Sequence, residues 1–179
     1  MNKEITSLIK KYAEVYILFE EFQKKDIGLL PGGDQKTGVI GEYYAKCFVD
    51  KSYKVKAKYA ESGKSFDLEY TKNNKTVKIQ VKAVSEHSKS RVIAPLSLFD
   101  RNGNPAFDQL FLIYLNKKFQ PVSFYINSYG DIIKKAGKGK LKIQGSKMKV
   151  SDNTTQGSAI YDLSKNLVDK LKDAISCVG

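Results

Sequence analysis

Cysteine and histidine are scarce in this chain of 179 residues: Cys47 and Cys177 have no CxxC spacing, and His87 is the only imidazole. That shortage leaves no zinc-ligand set and no disulfide framework to read. Long apolar runs are missing as well, since no stretch approaches the roughly 20 residues that span a bilayer. The N-terminus MNKEITSLIK is amphipathic and lacks the basic stub, apolar core and cleavage site of an export signal. Acidic residues are in deficit, 19 against 31 Lys and Arg, giving a net charge of +12. These absences predict a cytoplasmic protein with no membrane partner. The charge points to a polyanion, because a basic surface neutralises phosphates and releases their counterions. It does not separate DNA from RNA, and it also suits a merely soluble, lysine-rich protein.

What is present is enough for one globular domain over residues 1–179, and 41% hydrophobic content argues against wholesale disorder. Apolar residues at Ile5, Leu8, Ile9, Tyr12, Val15, Tyr16, Phe19 and Phe22 fall at the three-or-four spacing of one helical face and predict a long first helix within a segment 1–33. LLPGGDQ breaks it at Pro31, Gly32 and Gly33, and Asp34 or Thr37 can cap a second helix through GVIGEYYAKCFV. Its buried stripe is Ile40, Tyr43, Tyr44 and Cys47; Glu42 lies beside it, with the small residues Gly38 and Gly41 allowing close approach to a sheet or a nucleic-acid backbone.

YKVKAKYA, SFDLEYT and TVKIQVKAV alternate with a period of two and predict three consecutive strands. Between the last two, Asn73 and Asn74 tolerate left-handed backbone and suit a tight hairpin turn. If Lys72 pairs with Lys75, Asp67 stands opposite Gln80 and Ser65 opposite Lys82. Phe66, Leu68, Tyr70, Val77, Ile79, Val81 and Ala83 then share the core face, leaving Asp67, Glu69, Lys78, Gln80 and Lys82 on the other. The breaker-rich segment SEHSKSRVIAPLSLFDRNGNPA reads as a loop with a short helix near Leu96 to Asp100. LFLIYLN reads as a central strand, PVSFYIN as its hairpin partner, and Ser128 as the cap of a helix through DIIKKA. Residues 137–179 form a basic extension. It offers LKIQ and MKV as a strand pair or a basic arm, and LSKNLVDKLKDAI as a terminal helix with Asp162 as a possible cap.

Hydrolysis of a phosphodiester calls for a cation to shield the phosphate, oxygen ligands to hold it, and a group to orient or deprotonate water. Asp67, the amide of Gln80, the carbonyl of Val81 and Lys82 are brought together by the hairpin register. GEYYAKCFV, FDLEY and KIQVKAV in that order resemble the helical Glu, Asp and (D/E/Q)-x-K series of PD-(D/E)xK nucleases, with thirteen residues from Asp67 to Gln80 and a Gln variant like the Mrr-type branch. The resemblance covers about residues 35–136, including FDQLFLIYLNKKFQPVSFYIN. It implies an α/β restriction-endonuclease-like core with a mixed central sheet flanked by helices. It also implies a Mg2+-dependent DNA endonuclease, with Mn2+ as a substitute, of the type II restriction or restriction-associated kind.

Carried over residue by residue, Asp67, Gln80 and the Val81 carbonyl bind the metal, Lys82 positions or activates water, and Glu42 assists. Phe66 stands where the family's proline is often absent. Gln80 replaces a carboxylate, a loss of charge that Glu69 or Glu42 can offset, with Glu69 a further metal candidate. Lys78, Lys138, Lys140 and Lys142 are the expected nucleic-acid contacts. Double-stranded DNA, a homodimer with one site per strand and a companion DNA methyltransferase are the implied partners. Two other readings remain: a catalytically inactive DNA-binding module of the same fold, and an RNA-binding or RNA-processing protein, which leaves Asp67, Gln80 and Lys82 without a role. His87 reads as incidental, and Tyr43, Tyr44, Tyr53 and Tyr59 as packing residues.

Overall fold

The computed structural model describes residues 2–25, 36–87, 96–100, 102–136, 141–144, 147–150 and 161–176. Helix α1 (Asn2–Lys25) buries Ile9 and Ala13 and half-buries Ile5, Tyr12 and Tyr16, which lie within one arc of the helix. The predicted stripe is too broad: Leu8 and Val15 fall outside that arc and are exposed. Helix α2 (Lys36–Ser52) buries the whole predicted stripe of Ile40, Tyr43, Tyr44 and Cys47. Thr37 is no cap. It lies inside the helix and its hydroxyl meets that of Ser85 in a buried hydrogen bond, while Asp34 and the Pro31–Gly33 break lie outside the described residues.

Five strands form a mixed sheet in the order β1 (Lys58–Tyr59), β2 (Leu68–Lys72), β3 (Lys75–Ser85), β4 (Gln109–Leu115) and β5 (Pro121–Ser128). All neighbours are antiparallel except β3 and β4, which run parallel. The chain is therefore an α/β protein, as expected. Asn73 and Asn74 adopt φ of 51° and 59°, the left-handed pair that a two-residue hairpin turn requires. The turn sets the predicted register, with Lys72 facing Lys75 and Leu68 facing Ile79.

The first predicted strand shrinks to two residues. YKVKA keeps alternating burial, but Lys54 takes a φ of 54° and the carboxylate of Asp50 captures the Ala57 N–H at 2.6 Å, so this stretch leaves the ladder. The helix expected near Leu96 to Asp100 is absent as well. Phe99 bridges Pro105, and Asp100 accepts the N–H groups of Asn102 and Asn104, turning the chain back on itself.

Two apolar clusters cover the sheet. Leu68, Tyr70, Ile79, Val81, Phe111, Ile113, Leu115 and Phe124 meet α1, α2 and, from near the C-terminus, Leu171 and Ala174 on one side. Val84, Leu110, Leu112, Leu96, Leu98 and Phe107 form the other, joined by Ile132 of helix α3 (Tyr129–Ala136). Strand β4 alternates between both clusters, which is why its sequence is apolar without a break. Ser128 caps α3 as predicted, accepting the Asp131 N–H at 3.1 Å. Strands β6 (Leu141–Gln144) and β7 (Lys147–Val150) pair as a separate antiparallel ribbon. Helix α4 (Val168–Ser176) starts later than expected: Asn166 accepts the Val168 N–H at its start, while Asp162 caps a turn at Ser164 and Leu163 joins the second cluster. Among the described residues no helix is long and apolar enough to cross a membrane.

Candidate active site

The hairpin of β2 and β3 ends, away from its turn, at Asp67. The Asp67 N–H donates to the Ile79 carbonyl at 2.9 Å, which extends the ladder by one link and orients the carboxylate. Oδ2 then accepts the Val81 N–H at 2.6 Å and the side-chain amide of Gln80, whose Nε2 also lies 3.4 Å from the Val81 carbonyl. Asp67, Gln80 and Val81 are thus brought together as the register predicts.

Lys82 and Glu42 act on the cluster electrostatically. Burial pushes the Asp67 carboxyl above its ordinary pKa, opposed by the Val81 N–H and the charge of Lys82. Glu42, reaching in from α2, is likewise raised, first by burial and then by the charge of Asp67, with Lys82 opposing. Both carboxylates therefore feel the same lysine. Gly41 makes this approach possible: a Cβ there would lie under 3.0 Å from that of Ala83 on β3, so α2 packs directly on the strand. Gly38, the other small residue singled out, faces open space.

The remaining predicted residues spread outward. Glu69 pairs in register with Lys58 on one side and Lys78 on the other, and all three line a groove of about 750 Å³ with Tyr59, Ser65 and Phe66. Phe66 is on the opposite face from the one expected. Because β2 begins only at Leu68, residues 65 and 66 leave the strand path, Ser65 bonds the Ala106 carbonyl instead of facing Lys82, and the Phe66 ring lies under the Lys78 ammonium at 5.5 Å. Tyr59 is not a packing residue: it is 51% exposed on the short edge strand. Tyr43 and Tyr44 are buried and Tyr53 is half-buried, as predicted. Lys142 pairs with Lys149 in the β6–β7 ribbon, while Lys138 and Lys140 lie outside the described residues. His87 packs between Tyr16 and Phe119 and meets the Lys117 carbonyl, in keeping with a structural position.

Asp108 is the residue that sequence reasoning missed. Its carboxylate accepts the Lys78 N–H and its own N–H donates to the Lys78 carbonyl, both at 2.8 Å, which starts the parallel pairing of β3 with β4. An aspartate at the mouth of an apolar run was the one signal the sequence offered.

Among the described residues no group of three or more His, Cys, Asp and Glu side chains could hold a metal ion. The Asp67 carboxylate, the Gln80 amide and the Val81 carbonyl are all able to present oxygen, with the Glu42 carboxylate in electrostatic reach. Such a set fits a hard cation like Mg2+, which keeps several of its waters, and does not fit zinc.

No family model matches the chain, and no curated protein matches it. Among solved structures it is similar to a bacterial homing endonuclease, I-Ssp6803I. The match has 15% identity over 70% of this chain and 82% of that one, with a TM-score of 0.39, a similarity too distant to bear on activity.

Proposed function

We propose that this chain is a Mg2+-dependent DNA endonuclease of the PD-(D/E)xK type. The observation that carries the reading is the meeting of Asp67, Gln80 and Val81 at the open end of one hairpin, with Lys82 and Glu42 within electrostatic reach. Chemistry-bearing side chains converging at a partly buried point, with two carboxyls shifted upward, are the mark of a site rather than of a solvated strand face.

Asp67, the Val81 carbonyl and the oxygen of the Gln80 amide would hold Mg2+, or Mn2+ in its place. The bound ion would neutralise phosphate charge and make its water a better nucleophile. Lys82 orients the attacking water and offsets negative charge that builds on the phosphate. Glu42, whose carboxyl holds a proton more readily than usual, suits the role of accepting one from that water. The net charge of +12 favours a polyanionic substrate. Double-stranded DNA in a restriction or restriction-associated setting is the specific form of the proposal. It carries with it a homodimer, so that two sites address two strands, and a companion methyltransferase.

One observation favours a second reading, a DNA-binding module without catalysis: position 80 carries a neutral amide, Gln80, in place of a second carboxylate. Plasmid DNA incubated with Mg2+ or Mn2+ separates the two. Wild-type protein should nick or linearise it, and Asp67→Ala and Lys82→Ala should each lower the rate by about 100-fold or more. Equal cleavage in all three would remove these residues from the chemistry. Duplex binding with no cleavage by the wild type would favour the silent module.

A further inference from the structure

The amide of Gln80 lies between two acceptors. Its nitrogen bonds Asp67 Oδ2 and sits 3.4 Å from the Val81 carbonyl, while Oδ2 also takes the Val81 N–H. A carboxylate and a carbonyl can only accept, whereas a primary amide carries two donors at one end and an acceptor at the other. Turning the amide oxygen toward this point would set three acceptors against one another in a partly buried place, which is costly without a donor or cation. The NH2 end is therefore the one that belongs there when no cation is bound. A divalent cation at the same point reverses the demand, because it takes oxygens and repels N–H hydrogens.

We infer that Gln80 is a two-position switch of the metal site: its NH2 end ties Asp67 to Val81 in the metal-free protein, and a half-turn of the amide presents its oxygen when the cation binds. The inference rests on the metal-site reading above and deepens it. The two ends of the amide are nearly the same size, and the terminal torsion joining them to the chain is soft, so the exchange needs no movement of β3. A glutamate at this position could not serve both states. It would offer the cation a full charge, but in the empty site it would face Asp67 with no hydrogen to donate and with Glu42 nearby. Glutamine thus exchanges cation affinity for order in the empty site, and the site is held in shape before any metal arrives.

Two measurements test this without reading cleavage. In the wild type, the side-chain NH2 resonances of Gln80, assigned by NMR, should move in step with Mg2+ saturation, and Asp67→Ala should abolish that saturation. In calorimetric titration Gln80→Glu should bind Mg2+ about tenfold tighter or more, since the cation gains a charged ligand. The same variant in EDTA should melt below the wild type. If Mg2+ saturates a site that depends on Asp67 while the Gln80 resonances stay in place, the switch is wrong and the metal site stands. If the folded wild type binds no Mg2+ at millimolar concentration, and its Gln80 resonances stay still, the metal-site reading falls and takes the switch with it. The NMR measurement uses the wild type, so it decides the matter even if Gln80→Glu does not fold without metal.

Discussion

Gly41→Ala puts a single methyl group where helix α2 touches strand β3. An added Cβ would fall under 3.0 Å from Ala83 Cβ, while Ala83 Cα and Val81 Cγ1 would stay at 3.7 Å. Ordinary carbon contacts lie at about 3.5–4.0 Å, and neither methyl can rotate away, so helix and strand must part by more than about half an ångström. Overpacking of this kind costs about 1–3 kcal/mol, and alanine's better helix propensity returns about 1 kcal/mol. A net loss of up to about 2 kcal/mol corresponds, at this chain length, to a Tm lower by up to about 8 °C. Thermal denaturation of the wild type, Gly41→Ala, Ala83→Gly and the double variant checks the cause. Ala83→Gly makes room for the new methyl, so the double variant should be more stable than the two single losses predict, by about 1 kcal/mol. Additivity within about 0.5 kcal/mol would refute direct contact as the cause. The same parting would draw Glu42 away from Asp67 and Lys82. Displacements of about 1 Å at such sites cost on the order of 100-fold in rate, and the double variant should recover part of it.

The raised carboxyl of Asp67 makes a statement about pH. A folded-state pKa above the unfolded value contributes stability that is fully present in acid, below the unfolded pKa, and is lost as pH rises through the folded pKa. In EDTA, Asp67→Asn should therefore gain stability over the wild type as pH rises from the ordinary aspartate range through the raised folded-state value; a difference that does not change with pH would contradict it. Asp50→Ala should lower stability in urea by about 1–3 kcal/mol, because the buried Ala57 N–H loses its acceptor. Lys46→Ala, which removes only the other partner of Asp50, should cost less than about 1 kcal/mol.

The hairpin was legible because its determinants are local. Two asparagines able to adopt left-handed backbone fix the turn, and a period of two carries the register outward to Leu68 and Ile79. Side-chain chemistry at Asp67 and Gln80 follows from that register. What was not legible depends on partners distant in sequence or on single backbone angles. Alternation in YKVKAKYA predicts pairing, but Lys54 turns out of the strand and Asp50 takes the hydrogen bond that a neighbouring strand would have offered. Phe66 follows Ser65 toward Ala106, far downstream in the chain, and so changes face. Parallel pairing of β3 with β4 is fixed by Asp108, for which no periodic pattern exists. The start of α4 depends on Asn166, whose side chain also accepts the Phe124 N–H from β5.

Strand β4 gives the cluster a dry flank. In the parallel register Gln80 stands beside Leu110 and Lys82 beside Leu112, and both leucines are fully buried. Water cannot solvate these polar groups from the side of β4. An apolar wall of this kind polarises little, so the field of Lys82 and of the two carboxylates is screened less on that flank than water would screen it. Whatever charged group comes up against Asp67 therefore meets a stronger potential than the same residues would create on an open strand.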